Sequence, residues 1–401
     1  MVPNSWMSCH LGDFMEFKNG LNADKSQYGY GLKFVNVMDV FGNDILTEDK
    51  IIGRVNVAES QLESNLLKFG DVLFNRTSET FDEIAMSAVY LDDKPAVFGG
   101  FVIRARPSNG ILSPAYSVYL FQSSKFRNQV IKLGQGAVRA NIGQKDLAKV
   151  KVSLPPLPEQ KKIAQILSTW DKAISTTEQL LANSQQQKKA LMQQLLTGKK
   201  RLMDKNGVRF SGEWKTTEIG EFLQESRIPS KTNDPSKRLT VRLNLKGIEP
   251  REFRGTEAVE STAHFVRSAG QFIYGKQNIH KGAFGIIPED LDAYETSQDL
   301  PAFDFTGACD PIWFYHYMTQ EHFFASLEDK MSGTGSKRLN PKTFFKIKIA
   351  SPSIEEQQKI AAVISTADHE ISTLQQKLEA LKQEKKALMQ QLLTGKRRVI
   401  N

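Results

Sequence analysis

Cysteine is nearly missing from this chain of 401 residues: only Cys9 and Cys309 occur, far apart, so neither a disulfide framework nor a thiolate zinc site can be assembled. That scarcity fits a reducing cytoplasm. No apolar run approaches the roughly 18 residues of a membrane span, and Met1 to Phe17 lacks a basic stretch followed by an apolar one; neither a spanning helix nor a secretory leader is expected. The six histidines form no His-Glu-x-x-His pattern, and His316 and His322 read as residues packed among aromatics rather than metal ligands. The tight acidic and lysine clusters that nucleases use are also missing. Gly270 to Lys276 has the glycine spacing and lysine of a phosphate loop, but Gln277 stands where a hydroxyl must hold magnesium. Asp310-Pro311-Ile312-Trp313 lacks the second proline with which amino-group methyltransferases hold the target amine. Gly134 and Gly136, like Gly333 and Gly335, precede strands rather than open helices and read as turns.

What the chain does have is length, a basic balance and a repeat. At 401 residues it exceeds the size at which single cores stop growing, so two or more domains are expected. The 53 Lys and Arg against 45 Asp and Glu, a net charge of +8, suit a polyanionic partner without demanding one. KKALMQQLLTGK occurs at Lys188–Lys199 and again at Lys385–Lys396, an offset of 385 − 188 = 197 residues. At that offset, Glu159–Lys199 and Glu356–Lys396 share 26 of 41 residues. The globular parts echo each other more weakly. Trp6 and Leu11-Gly12-Asp13-Phe14 recur in type as Trp214 and Ile219-Gly220-Glu221-Phe222. Gly134, Gly136, Arg139 and Asn141 have expected counterparts in Gly333, Gly335, Arg338 and Asn340. The interiors, Asp13–Ser123 and Glu221–Glu321, share only a strand-like pattern. The plan is domain, helix, domain, helix: 1–155, 156–201, 202–352 and 353–401.

Prolines stop the strand before each helix, and Thr-Gly followed by cations ends each one. Ile163, Leu167, Trp170, Ile174, Thr177, Leu181, Ser184, Lys188, Leu191 and Leu195 follow 4-3 spacing. Ile360, Ile364, Ala367, Ile371, Leu374, Leu378, Leu381, Lys385, Leu388 and Leu392 repeat it. The other faces are rich in Gln and Lys, so the two stripes should pair, antiparallel about a local two-fold, as rods near 60 Å long at about 1.5 Å per residue. The expected fold class is α+β: two globular domains of mixed α/β character separated by two long antiparallel helices in a coiled coil, pseudo-two-fold symmetric. An ordinary helical hairpin serving stability alone is the plainer alternative. Exposed Lys189, Gln193, Gln194 and Lys199 repeat as Lys386, Gln390, Gln391 and Lys396, which packing does not require; a shared partner surface explains it, and so would recent duplication.

In the globular parts, cations are mixed with amides and hydroxyls. Arg76-Thr77-Ser78, and Lys276-Gln277-Asn278 with His280 and Lys281, combine donors for guanine acceptors with bidentate amides for adenine. Arg227, Lys231, Lys237, Arg238 and Arg242 are candidate phosphate contacts. Arg76 with Lys276, and Arg139 with Arg338, stand out as matched positions in the duplicated frame, with Asn141 and Asn340 beside them; any one of these charges alone reads as ordinary solvated surface.

The Pro-x-x-Glu-Gln-x-x-Ile opening at Pro156, Glu159, Gln160 and Ile163, its approximate copy at Ser353, Glu356, Gln357 and Ile360, and the Leu-Leu-Thr-Gly-Lys helix end resemble the conserved regions of type I restriction-modification specificity subunits. The copy departs from the pattern at Ser353 and Ile354, where the first has Pro156 and Leu157. The resemblance covers the whole chain. It implies a non-catalytic, cytoplasmic subunit in which each domain reads one half of a split, asymmetric site in double-stranded DNA. The paired helices would set the spacer and dock two modification subunits. Those partners would bring S-adenosylmethionine and methylate adenine. Separate motor-nuclease restriction subunits would add ATP-driven, magnesium-dependent cleavage, and this chain would hold no cofactor. A stand-alone adenine methyltransferase would need a cofactor site, and a purely protein-binding adaptor would show no salt-dependent affinity for duplex DNA.

Overall fold

The structure is a computed structural model that describes residues 3–136, 139–232, 234–252 and 263–399. The first globular part is built on a five-stranded sheet in the order Met15–Asn19, Val102–Pro107, Val72–Asn75, Ser87–Tyr90, Ile45–Leu46, antiparallel except for the last pair. Val72-Leu73-Phe74-Asn75 is buried on both faces, which is why it reads as a continuous short apolar run rather than an alternating one. The second part carries the same order in four strands: Leu223–Ser226, Ala302–Phe305, Phe272–Tyr274, Phe284–Ile286. A two-stranded ladder closes each domain, Met7–His10 with Lys151–Leu154 and Lys215–Glu218 with Lys348–Ser351.

The features that imitate chemical motifs are structural. The glycines of Gly270–Gly275 flank the buried strand Phe272–Tyr274 instead of forming a loop before a helix. Asp310 accepts a hydrogen bond from Trp313 N at 2.9 Å and caps the helix Pro311–Met318, with proline in the first turn, where its missing N–H costs nothing. Among the described residues no cluster of three or more His, Cys, Asp or Glu is placed to hold a metal, and no helix is long and apolar enough to cross a membrane.

The two long helices run Leu157–Leu195 and Ile354–Leu392, shorter at their C-terminal ends than the conserved segments 156–201 and 353–401. They stop because Gly198 and Gly395 adopt φ of 69° and 73°, the left-handed conformation that turns the chain away from the helix axis. At the other end, Gln160 and Gln357 act as matched seals. Gln160 accepts from Ser113 N and donates to the carbonyls of Ile111 and Pro155; Gln357 accepts from Asp310 N and donates to that of Pro352. Ser353 does not disturb the second copy. Gln357 N donates to Ser353 O at 2.9 Å, as Gln160 N does to Pro156 O at 3.0 Å, and the Ser353 hydroxyl accepts from Glu356 N.

Every residue of both 4-3 stripes is buried or half-buried. The chain divides into two compact units, Met1–Glu178 with Gln376–Asn401, and Gln179–Gln375. Each unit therefore combines the N-terminal half of one helix with the C-terminal half of the other. In the first, Asp171 meets Lys385 and Glu178 meets Lys382; in the second, Ser184 meets Glu370 and Lys188 meets Asp368. Numbers rise on one helix as they fall on the other, so each pairing is antiparallel. The energy lies at the domain ends. Ile163, Leu167, Leu392 and Leu393 join the core of the first unit, and Leu195, Leu196, Ile360 and Ile364 that of the second. Each fully buried Leu or Ile contributes about 1.5–3 kcal/mol, against at most about 1 kcal/mol for an exposed pair such as Glu178–Lys382.

The tails beyond the helices complete the exchange. Arg398 grips buried Glu159 bidentately at 2.7 and 2.9 Å, with Trp6 Nε1 donating to the same carboxylate at 3.2 Å. Arg201 grips buried Glu356 at 2.6 and 2.7 Å. Since 398 − 201 = 197 and 356 − 159 = 197, the end of each repeat locks the start of the other. Burial alone raises a carboxyl; at Glu159 the Arg398 and backbone bonds outweigh it and hold the group below its ordinary value.

Candidate nucleic-acid interface

Arg76-Thr77-Ser78 and Arg139-Asn141 are about sixty residues apart in sequence, yet a short ladder joins them, pairing Ala140 with Ser78 and Asn141 with Thr77. Arg76 follows directly from the central strand. Its N–H donates to Phe101 O at 2.8 Å, and its carbonyl accepts from Ile142 N at 3.0 Å. In the other domain Lys276 N donates to Asp299 O at 3.0 Å, and Lys276 O accepts from Leu339 N at 2.9 Å. Identical backbone bonding makes Arg76 and Lys276 equivalent positions, as their sequence surroundings indicate. Arg76 is exposed and Lys276 half-buried. Burial lowers the Lys276 ammonium, partly offset by Asp299, so this cation has already shed part of its hydration.

The same bonds correct the second pairing. Gln135 bridges Asn141 and Ser332 bridges Arg338, around glycines with φ of 123° at Gly136 and 133° at Gly333. The equivalents are thus Gly136 with Gly333 and Asn141 with Arg338, not Gly136 with Gly335 or Arg139 with Arg338. Asn340 starts the helix Pro341–Phe345 as Gly143 starts Gln144–Ala148. The sequence alignment slipped by two residues because Gly-x-Gly and Arg-x-Asn spacings match by chance in a turn that carries little other pattern.

The candidates differ in availability. Arg76, Arg139, Asn141, Gln277, Arg338 and Asn340 are exposed, Thr77 and Asn278 half-buried. Ser78 is buried, its hydroxyl donating to Glu83 at 3.0 Å and accepting from Thr80 N, so it shapes the turn rather than reading bases. Asn141 donates to Arg139 O, and Arg338 lies 3.7 Å from Asp299. Among the expected phosphate contacts Arg238 is buried, with Nη1 at 2.6 Å from His264 Nε2, because it opens a strand whose side chains enter the core; it is no surface cation. Arg227 and Arg242 pair with Glu225 and Glu249, and Lys231 and Lys237 are exposed.

Two side chains beside the candidate positions carry no clear signal in the sequence. Phe101, 64% exposed, and Asp299 are the residues whose carbonyls hold Arg76 and Lys276. Gly99-Gly100 before an exposed Phe is the one local signal, and it becomes meaningful only once Arg76 is placed beside it. Thr77 and Arg139 also border a cavity of about 630 Å³ walled by Met38, Phe41 and Met86. Donors beside an apolar wall can discriminate base pairs, since thymine alone presents a methyl group in the major groove. Of the expected partner residues, Lys189, Gln193, Lys386 and Gln390 border grooves beside the helices, whereas Gln194 and Gln391 are exposed outside them.

A family model described as type I restriction modification DNA specificity domain matches residues 3–183 and 211–383. The putative type I restriction enzyme MjaX specificity subunit of Methanocaldococcus jannaschii is 25% identical over 432 aligned positions, covering 99% of this chain and 95% of that protein. Among solved structures, the type I restriction-modification S subunit from M. genitalium superposes with a TM-score of 0.57 at 14% identity, and the HsdS subunit from Thermoanaerobacter tengcongensis with 0.54 at 17%. Each of these two alignments covers 98% of both chains and carries the fold alone.

Proposed function

Because the chain belongs to the type I restriction-modification DNA specificity family, matched in both of its halves, we propose that each globular domain reads one half of a bipartite, asymmetric site in double-stranded DNA. The paired helices set the unspecified spacer and dock two modification subunits, adenine methyltransferases that bring S-adenosylmethionine. Restriction subunits with ATP and magnesium join through that complex in the cytoplasm. The chain itself holds no cofactor and performs no catalysis.

The observation that carries this reading is the distribution of likeness. The clamps, the sealing glutamines and the helix segments Lys188–Lys199 and Lys385–Lys396 recur residue for residue, whereas the equivalent candidate reading positions carry Arg76 against Lys276, Phe101 against Asp299 and Asn141 against Arg338. A frame that meets two identical partners keeps its surface; loops that meet two different sequences do not. Base edges are read by such donors and acceptors, while phosphate contacts only position.

Exchanging residues 1–155, a block closed by its own terminal ladder, for those of another family member is expected to change one half of the methylated sequence and leave the other intact, as methylome sequencing reads it. Change in both halves overturns the modular reading. Arg76→Ala and Lys276→Ala are each expected to weaken specific binding by about 1–3 kcal/mol, with discrimination lost on one half-site only. Uniform weakening across sequences in a mobility-shift titration would assign that cation to phosphate instead.

A further inference from the structure

Each unit has a groove where the KKALMQQL segment faces a corner of its globular domain. In the first unit the second helix lines it with Lys386, Met389 and Gln390, opposite the corner Gln122–Lys125. In the second unit the first helix lines it with Lys189, Met192 and Gln193, opposite Thr319–His322. Both walls obey the repeat: 386 − 189 = 197 and 319 − 122 = 197. The cavities measure about 340 and 550 Å³, room for several side chains of a partner.

The helix walls match except at Gln185 against Lys382, and the corners do not: Gln-Ser-Ser-Lys faces one groove and Thr-Gln-Glu-His the other. Recent duplication does not account for this. Exposed positions earlier in the same helices have diverged, Lys172 to His369, Leu180 to Lys377 and Ala182 to Glu379, while exposed Lys189 and Gln193 are retained as Lys386 and Gln390. Duplication alone would leave exposed positions equally alike throughout.

The chemistry of the occupant follows from the lining. Lys188 and Lys385 are held by Asp368 and Asp171. Lys189 and Lys386 are exposed and, among the described residues, make no ion pair. Half-buried Met192 and Met389 form adaptable apolar floors, and lysines outnumber carboxylates in both linings, four to none in the first groove and two to one, Glu321, in the second. We propose that the two grooves are equivalent docking sites, each receiving an acidic segment with an apolar anchor from one copy of the same partner protein. Resting on the functional reading above, that partner is the modification subunit. One carboxylate meets Lys189 or Lys386, and the anchor settles on Met192 or Met389.

The test uses the full chain co-expressed with a modification subunit of the same kind of system, read by native mass spectrometry and sedimentation velocity. The wild-type chain is expected to recruit two subunits. Lys189→Glu with Met192→Asp, or Lys386→Glu with Met389→Asp, leaves one, and all four changes leave none. Lys189→Glu and Lys386→Glu alone, on exposed side chains that leave the thermal melt unchanged, weaken recruitment tenfold or more at their own groove. Specific DNA affinity of the chain alone stays within twofold. If the fourfold variant still recruits two subunits, the grooves are not the docking sites, although the functional reading stands. If DNA affinity collapses with stoichiometry intact, the lysines are phosphate contacts. A wild-type chain that recruits no modification subunit overturns both.

Discussion

Acidification from pH 6.5 to 4 is expected to remove about 3 kcal/mol of stability from the second unit, and His316→Tyr is expected to abolish most of that loss. His316 is 6% exposed, and burial, with Lys188 adding to it, pushes its pKa down to about 4, while Asp368 at 3.4 Å opposes the shift. The folded state therefore keeps a neutral imidazole where the unfolded chain takes up a proton near pH 6.5. The stability is fully present above that value, falls as the unfolded chain gains its proton, and levels off once folded His316 titrates near pH 4. A separation of about 2.5 pH units at about 1.36 kcal/mol each gives the magnitude.

The first unit shows what the substitution would restore. At the equivalent position, 316 − 119 = 197, Tyr119 donates to Asp171 at 2.7 Å, and Lys385 grips the same carboxylate. Burial, then the bond to Asp171, hold the Tyr119 phenol far above its ordinary value, so it does not titrate in this range. Denaturant unfolding followed through the fluorescence of Trp313, fully buried in the second unit, reads the effect. Parallel pH profiles for wild type and His316→Tyr would refute it.

Lengthening both helices by seven residues is expected to add about three base pairs to the spacer while both half-site sequences stay unchanged. Seven residues at about 1.5 Å rise add about 10.5 Å, against about 3.4 Å per base pair, and a whole heptad keeps each apolar stripe in phase. A single-turn insertion after Ser184 and its sequence counterpart Leu381 follows from the repeat alone. The pairing directs it elsewhere: antiparallel helices place Ser184 against Glu370, at 3.1 Å, so the insertion on the second helix belongs beside Glu370. Insertions at Ser184 and Leu381 would face unextended helix and break both registers. Methylome sequencing that returned the original spacer from the in-register variant would remove the helices from the role of ruler.

The helices were legible because their signal is local: a 4-3 stripe and Thr-Gly stops need no knowledge of the rest of the chain. The strand run Val72–Asn75 and the helix cap at Asp310 carry signals of the same kind. The candidate interface positions were half legible. Arg76 and Lys276 follow matching apolar strands, but Ser78 and Arg238 looked like surface residues and are buried, since composition does not say which way a side chain points. Arg139 and Arg338 were misaligned because a turn offers no periodicity to fix its register.

By itself, the sequence determined the repeat, the helix stripes, the paired domain frames and the family, because these rest on identity and on periodicities of fewer than ten residues. Tertiary structure decided which repeat holds which. Arg398 closes on Glu159 and Arg201 on Glu356, Tyr119 and His316 sit on helix aspartates, and Phe101 and Asp299 stand beside Arg76 and Lys276. Those partners lie from 23 to 239 residues apart, distances over which local propensity carries no information and only packing of the folded chain selects the contact.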